Sequence, residues 1–246
     1  MREAEQVTGI ARWKELCSDT AGDTTGDSSG GALGDVERLG RFWAAAAGLD
    51  FRPDGEAGDL VGPSEGHGIA MCRVPEAMSV KHRVHLDVYA GSVDELVAKG
   101  ASVVLPAEES GFRWTVMADP EGGVFCAFLR PPDEVPGYRV HGLVVDSADP
   151  ESIARWWHGV LGGELRGGAD QGWWWLAHVP GLPIRSFDFV PVPEPKTVKN
   201  RIHWDVYGAR DDLVAAGATV LRERDQETGW HVMADPEGNE FCVFES

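Results

Sequence analysis

Two short segments of the chain alternate apolar with polar residues, and each segment predicts a β-strand that has one apolar face and one polar face. The apolar positions are Val84, Leu86, Val88, Ile202, Trp204 and Val206. The polar positions are Arg83, His85, Asp87, Tyr89, Arg201, His203, Asp205 and Tyr207. Helices should cover the apolar faces, which leaves the polar faces available to a ligand.

Apolar residues recur at helical spacing in the third quarter of the chain, where Asp149 and Pro150 mark the start of a helix and Gly162 marks its end. Ser92 opens a capping-box pattern for a shorter helix that ends at Gly100. Two Ala-Asp-Pro-Glu-Gly segments predict tight turns between strands, because proline presets φ and glycine accepts a left-handed conformation. Together these signals predict strand, helix and three short strands, twice in each half of the chain.

An internal repeat relates the two halves, and His85 and His203 stand 118 positions apart in it. The matching pairs of segments are 80–89 with 198–207, 95–101 with 212–218, and 116–122 with 232–238. The chain is therefore interpreted as a tandem duplication with domains at residues 9–131 and 137–246. A tract rich in glycine, serine and threonine, residues 21–34, is inserted in the first copy. We expect a surface insertion there, with a lid over a site as the alternative.

The charge balance excludes two classes of partner. The chain has 22 Lys and Arg residues against 40 Asp and Glu residues, a net charge of −18, so it should repel phosphate backbones and anionic lipid surfaces. Nucleic acid and membranes are therefore not expected as partners. The sequence also lacks a hydrophobic signal core and any run of about 18 apolar residues. These features predict a soluble protein in the cytoplasm.

Four widely spaced cysteines, Cys17, Cys72, Cys126 and Cys242, form no CxxC pair. In a chain of this size we expect them to be reduced thiols. Cys126 and Cys242 stand at matching positions of the repeat. The simplest interpretation of both is a small buried hydrophobic residue, and a metal ligand or reactive thiol is the alternative.

Three groups of residues in the second copy carry a family resemblance. They are Arg155-Trp156-Trp157 with Leu161-Gly162, Pro193-Glu194-Pro195-Lys196 with Val198 to Asp205, and Ala234 to Cys242. They resemble the vicinal oxygen chelate superfamily, which includes glyoxalase I, bleomycin-resistance proteins and extradiol dioxygenases, and most of all its glyoxalase-like branch. The resemblance implies an α+β fold of tandem domains, each built of two βαβββ modules that form a curved half-barrel sheet with helices on the convex side.

The resemblance also implies a place for a divalent metal ion, because metal-dependent members take one ligand from the first strand and one from the last strand of each module. In the second copy these positions hold His141, Asp188, His203 and Cys242. Such donors favour zinc, with nickel, iron and manganese as alternatives. The family usually has Glu or His where Cys242 stands. The first copy offers Lys14, Ala70 or Met71, His85 and Cys126, and is expected to hold no metal.

Candidate ligand-binding residues lie on the predicted polar faces and in a run of three tryptophans. They are His85, Asp87, His203, Asp205, Tyr207, Trp173 and Trp175. In the run, the middle ring must face opposite to the outer two, so an indole should reach the cavity and stack on a planar or cationic ligand. Core packing is the alternative for most tryptophans. The two His-x-Asp pairs are also candidate general bases, and the histidines are otherwise hydrogen-bonding groups of a polar cavity.

Two functions stay open at this stage. One is a small-molecule binding protein of the bleomycin-resistance kind, which sequesters an aromatic or cationic compound in the concave cavity; the acidic charge and the tryptophans favour it. The other is a divalent-metal-dependent lyase, isomerase or dioxygenase with its site in the second copy. A homodimer is a further candidate assembly, and the sequence leaves open whether the copies pack within one chain or against another chain.

Overall fold

Four modules of the same plan follow one another in the computed structural model, which describes residues 9–21, 33–76, 78–168 and 170–245. Module one consists of β1 (Ala11–Ala21), α1 (Leu33–Ala47), β2 (Asp50–Asp54), β3 (Ala57–Val61) and β4 (Ile69–Val74). Module two consists of β5 (Val84–Ala90), α2 (Val93–Val97), β6 (Ser102–Leu105), α3 (Ala107–Ser110), β7 (Thr115–Ala118) and β8 (Val124–Leu129).

The second half of the chain repeats this plan. Module three consists of β9 (Val140–Ser147), α4 (Pro150–Leu161), β10 (Glu164–Gly167), β11 (Trp174–Ala177) and β12 (Ser186–Pro191). Module four consists of β13 (Ile202–Gly208), α5 (Arg210–Ala215), β14 (Thr219–Arg222), β15 (His231–Ala234) and β16 (Glu240–Phe244). Short 3-10 turns at Glu65–His67 and Pro132–Glu134 complete the regular structure of the described residues.

The predicted helix starts and turns are present. The side chain of Asp149 accepts a hydrogen bond from the backbone N–H of Ser152 at the start of α4, and Ser92 caps α2 in the same way. In each Ala-Asp-Pro-Glu-Gly segment the aspartate Oδ1 accepts backbone N–H bonds from the residues after it. Gly122 and Gly238 take positive φ values of 88° and 84°, which only glycine adopts without strain.

Two eight-stranded sheets form, and each is built of two modules. One sheet has the order β14-β15-β16-β13-β1-β4-β3-β2, so it joins module four to module one. The other has the order β10-β11-β12-β9-β5-β8-β7-β6 and joins module three to module two. The predicted α+β class and the pairing of modules into curved sheets are confirmed. The boundaries 9–131 and 137–246 describe the duplicated sequence, whereas each sheet contains strands from both copies.

One continuous apolar core lies between the two sheets and holds α1 and α4. Trp204 of β13 is fully buried there and packs edge-on against Trp157 of α4, with ring centres 5.1 Å apart. The Trp157 indole N–H donates to Asp235 Oδ2 at 3.0 Å, and Trp43 makes the matching bond to Asp119 at 3.2 Å. Each bond joins a helix to the Ala-Asp-Pro-Glu-Gly turn of the same copy, whereas the sheets join the two copies to each other.

The inserted tract of the first copy falls largely outside this description, since residues 22–32 are not among the described residues. The predicted surface insertion therefore stays a prediction. Within the described part of the chain, no helix is both long enough and apolar enough to cross a lipid bilayer.

Candidate functional site

Each sheet has a polar face on the side away from the core, and we call these faces the first cup (modules one and four) and the second cup (modules two and three). The floor of the first cup carries Cys17, Asp19, Cys72, His203, Asp205 and Cys242. The floor of the second cup carries His85, Asp87, Cys126, His141 and Asp188. Strand alternation produces both floors, because the intervening residues of β5 and β13 are buried in the core.

Three donor atoms converge on the floor of the second cup. His85 Nε2 lies 3.7 Å from Asp87 Oδ1 and 3.6 Å from Cys126 Sγ. Asp87 and Cys126 stand directly opposite each other where β5 pairs with β8, which brings their side chains together. The side chains of His85 and Asp87 keep 13% and 14% of their exposure. A ligand can therefore reach this floor from solvent.

Several buried polar atoms on the second floor have no hydrogen-bond partner, namely His85 Nδ1, Asp87 Oδ1 and His141 Nε2. Burial, followed by the charge of Asp188, raises the pKa of Asp87 to about 7. Burial raises the pKa of Asp188 to about 6 and lowers the pKa of His85 and of His141 to about 4. Because buried polar groups are normally paired, this floor is suited to a ligand that supplies the missing partners.

Aromatic side chains border the second floor on both sides. On one side the ring of Trp114 stacks between Phe112, at 4.7 Å, and Phe128, at 5.2 Å. On the other side the rings of Trp173 and Trp175 stack at 6.1 Å. These walls belong to the β7–β8 side and the β11 side of the sheet, with β5 and β9 between them. A planar molecule above the floor can thus stack on aromatic surface on either side of it.

The run of three tryptophans divides between the two faces of its sheet. Trp175 lies opposite Asp188 where β11 pairs with β12, and so shares the polar face. Trp174 instead lies beneath the guanidinium of Arg155 from α4, which is 5.1 Å from its ring centre. Trp173 is 42% exposed. The outer two rings therefore face the second cup, and the middle ring faces the helices.

The first cup repeats the His, Asp and Cys of the second floor, but a lysine covers them. His203 Nε2 lies 3.5 Å from Cys242 Sγ. Lys14 Nζ lies 3.7 Å from Asp205 Oδ2 and 4.5 Å from the centre of the Phe244 ring. Burial raises the pKa of Asp205, and the charges of His203 and Lys14 act against that rise. The Lys14 ammonium also contacts Glu15 Oε1, so the protein supplies this floor with a cation that the two carboxylates share.

The walls of the first cup also differ from those of the second. Trp230 stacks on Phe244 at 5.3 Å and forms one aromatic wall. On the opposite side the exposed Asp59 pairs with Ala70, at the ladder position that a tryptophan and an aspartate hold in the second cup. Among the described residues, the first cup therefore has an aromatic wall on one side of its floor.

The predicted ligand-binding residues are divided between the cups. The second cup contains His85, Asp87, Trp173 and Trp175, and the first cup contains His203, Asp205 and Tyr207. At the rim of the first cup, Tyr207 donates a hydrogen bond of 2.6 Å to Glu65 Oε1, and Arg12 lies 4.4 Å above its ring. The hydroxyl and the ring of Tyr207 are therefore both already engaged by contacts within the protein.

The predicted metal-ligand set is not brought together. His141 and Asp188 lie in the sheet of modules two and three, whereas His203 and Cys242 lie in the other sheet. The grouping was wrong because it assumed that the two modules of one copy share a cup, and the strands pair across the copies instead. Each cup therefore combines residues from both copies.

Sequence reasoning missed the aromatic wall formed by Phe112, Trp114 and Phe128. The repeat contained a signal for it, since Trp114 and Trp230 both stand two residues before matching Val-Met-Ala-Asp-Pro-Glu-Gly segments. Both indoles prove to stack on the side of a cup. A tryptophan repeated beside a turn was therefore a marker of the wall.

The second floor fits the donor spacing of a tetrahedral metal site. Metal–ligand bonds of about 2.0–2.3 Å place neighbouring donors about 3.3–3.8 Å apart. The separations from His85 Nε2 to Asp87 and Cys126, 3.7 and 3.6 Å, fall in that range. Nitrogen, oxygen and sulfur donors together favour zinc. In the first cup an ammonium group already lies beside the equivalent carboxylate.

A family model described as a glyoxalase-like domain matches residues 32–128 and 142–244. Glyoxalase I from Zea mays is structurally similar with a TM-score of 0.61 at 11% identity, over 96% of this chain and 92% of that chain. A Mn(II)-bound glyoxalase from Novosphingobium aromaticivorans aligns at 16% identity and a TM-score of 0.37, over 96% of this chain and 83% of that chain. No curated protein sequence matches. Because the family model matches both copies, the chain belongs to the glyoxalase-like domain family.

Proposed function

We propose that the protein binds a small planar molecule with a cationic group in the second cup. The observation that carries the proposal is the pair of aromatic walls on opposite sides of a floor whose carboxylate and imidazole atoms lack internal partners. An aromatic ring that stacks on Trp114 or on Trp175 gains about 0.5–1.5 kcal/mol per contact beyond its buried area. The carboxylates of the floor then favour a ligand that carries a cationic group.

The charges of the second cup favour a defined orientation of that ligand. Asp87 and Asp188 lie on the floor, and burial raises the pKa of each carboxyl group. A cationic group beside them would favour their ionised forms. Arg130 and Arg185 lie at the rim, where both donate to the hydroxyl of Tyr89. The cationic end of the ligand is therefore expected at the floor and not at this part of the rim.

The test is a fluorescence titration of the protein with a panel of planar aromatic cations, because the wall tryptophans should be quenched on binding. Asp87→Asn removes one of the two floor carboxylates, and Asp205→Asn is its matched control in the other cup. Trp175→Ala removes a wall, and Trp174→Ala is its control on the helix side. We expect the dissociation constant to rise at least about tenfold in Asp87→Asn and Trp175→Ala.

The controls should stay within about twofold of the wild type, since a twofold change is only about 0.4 kcal/mol. Equal losses in Asp87→Asn and Asp205→Asn would place binding outside the second cup. A flat response to every member of the panel would count against an aromatic cation as the ligand.

A second candidate function is a divalent-metal-dependent lyase, isomerase or dioxygenase, and the spacing of His85, Asp87 and Cys126 favours it. These three residues would hold the ion, which as a Lewis acid would polarise substrate oxygens. Elemental analysis of protein purified without chelator separates the two functions. Stoichiometric metal that is lost in His85→Ala and kept in His203→Ala supports the metal-dependent function, whereas metal-free protein after supplementation argues against it.

A further inference from the structure

Two thiols lie side by side on the floor of the first cup, apart from the residues used so far. Cys17 Sγ lies 3.5 Å from Cys72 Sγ. Cys17 is on β1 and Cys72 is on β4, and the parallel pairing of these strands places Asp19 directly opposite Cys72. A donor atom from each of the three residues lies within 4.8 Å of the others. The two sulfurs and the carboxylate therefore form a compact cluster.

The second cup provides an internal control for this cluster. Through the matching strand pairings, Val144, Asp146 and Val190 occupy the places of Cys17, Asp19 and Cys72. The aspartate keeps the same role in both cups, since Lys81 Nζ contacts Asp146 at 3.0 Å and Lys199 Nζ contacts Asp19 at 2.5 Å. Valine packs as well as cysteine at such positions, so the fold does not require the thiols. They add donor atoms to an existing ion pair.

The cluster matches the size and charge of a zinc site. Two thiolates bound to zinc at about 2.3 Å are about 3.8 Å apart in a tetrahedron, and the observed sulfur separation is 3.5 Å. Two thiolates and the Asp19 carboxylate carry three negative charges, which one divalent ion and the Lys199 ammonium balance. Buried charge is tolerated when it is compensated in this way.

A cavity borders the cluster at Asp19, and one of the two thiols is partly exposed. Asp19 and Lys199 line a cavity of about 210 Å³, and Cys72 is partly exposed while Cys17 is buried. A metal ion can thus reach the Cys72 side of the cluster from solvent.

We propose that Cys17, Cys72 and Asp19 bind one zinc ion, with ligands distinct from the neighbouring His203, Asp205 and Cys242. The fourth ligand position is left to water or to an exogenous molecule, as in open zinc sites. Zinc here would join β1 of module one to β4 and fix the wall of the cavity. The proposal concerns the first cup, so it stands or fails independently of ligand binding in the second.

The test uses the full chain, reduced and freed of metal by a chelator, and then titrated with Co²⁺ as a spectroscopic substitute for zinc. Thiolate-to-cobalt charge-transfer absorption should appear and saturate with a component of one ion per chain, and zinc should displace it. Cys17→Ser and Cys72→Ser should each abolish that component or weaken its affinity by at least about tenfold. Cys242→Ser and Cys126→Ser are the matched controls and should keep it.

Two further variants, Cys17→Val and Cys72→Val, carry the residues found at the matching positions of the second cup and are therefore expected to fold. Near-ultraviolet circular dichroism checks their folding. Loss of the cobalt band in folded valine variants supports the proposal. If the band were lost in Cys242→Ser and kept in Cys17→Val, the metal would be assigned to His203, Asp205 and Cys242, and the proposal would be overturned. Absence of charge-transfer absorption in fully reduced wild-type protein would also overturn it.

Discussion

The two cups have the same strand order and the same His, Asp and Cys on β5–β8 and β13–β16, yet they offer a ligand different surfaces. The differences come from modules one and three. Lys14 covers the first floor, where the second cup has His141, and Asp59 stands where the second cup has Trp175. Duplication thus kept one half of each cup constant and let the other half vary, so function must be sought in the part that the repeat does not preserve.

The surroundings of the matching carboxylates Asp205 and Asp87 show the effect of these differences. Asp205 has the Lys14 ammonium 3.7 Å away. Asp87 has no lysine within ion-pair distance among the described residues, and burial, followed by the charge of Asp188, raises its pKa to about 7. The same buried position is therefore compensated internally in one cup and uncompensated in the other. Binding of a cation is favoured where compensation is missing.

The largest expected effect tests whether the cups depend on one core. Trp157→Ala removes a fully buried indole that contacts Trp204 and Phe187 and bonds to Asp235. We expect the free energy of unfolding to fall by about 3–5 kcal/mol, since a large cavity forms. Chemical denaturation followed by circular dichroism measures it. A second, separate unfolding transition in this variant would show that the cups fold independently and would contradict a shared core.

A reciprocal exchange tests the covering lysine. His141→Lys should place an ammonium beside Asp87 and close the second cup, so the affinity for an aromatic cation should fall about tenfold or more, which is about 1.4 kcal/mol. Lys14→His gives the first cup the imidazole of the second and should raise its affinity for the same compound. Isothermal titration of both variants measures these changes. An unchanged affinity in His141→Lys would show that a lysine at this position does not cause the difference in cation binding between the cups.

The pH dependence of stability sharpens the comparison further. The native state keeps a proton on Asp87 up to a pKa of about 7, whereas the unfolded chain loses it near pH 4. The native state therefore binds more protons in this window, and Asp87 reduces stability progressively as pH rises from about 4 to about 7. His85 and His141, with pKa values lowered to about 4, act in the opposite direction up to about pH 6.5.

Asp87→Asn isolates the carboxylate, because asparagine resembles its neutral form. The free energy of unfolding of this variant should exceed that of the wild type by more than about 1 kcal/mol both at pH 5 and at pH 8. Asp205→Asn should gain less, since it removes one of the two carboxylates that contact the Lys14 ammonium. Thermal unfolding at both pH values is the measurement. Equal gains in the two variants would show that Lys14 does not compensate Asp205.

The smallest expected effect lies at the rim of the first cup. Tyr207→Phe removes a hydrogen bond to Glu65 at an exposed position, so the free energy of unfolding should fall by less than about 1 kcal/mol. Binding in the second cup should not change. A marked loss of binding in this variant would assign the first rim to the ligand site and make the two cups functionally alike.

The sequence predicted the modules well because its signals were local. Alternation correctly placed Trp204 in the core and His203 on the opposite face, and the caps at Ser92 and Asp149 were visible as single residues. The pairing of modules was not predictable, because four similar modules have similar strand edges and alternation does not say which edge joins which. The error in the metal-ligand set follows directly from that ambiguity.

The cluster of Cys17 and Cys72 illustrates the same limit. These residues are 55 positions apart, and neither matches a cysteine in the other copy. Their proximity depends on the register of β1 against β4, which is set by the whole sheet. Sequence reasoning could only describe them as reduced thiols. The wall residue Trp114 was a different case, since its counterpart Trp230 repeats beside the same turn.

The strand pairings between β1 and β13 and between β5 and β9 have a consequence for fragments of the chain. A cut in the junction between the copies would leave each half with two unpaired strand edges, one from each of its modules. Such edges readily accept another strand. The two pieces should therefore recombine with each other, or each with a second molecule of itself, so the chain resembles a dimer whose subunits have been linked end to end.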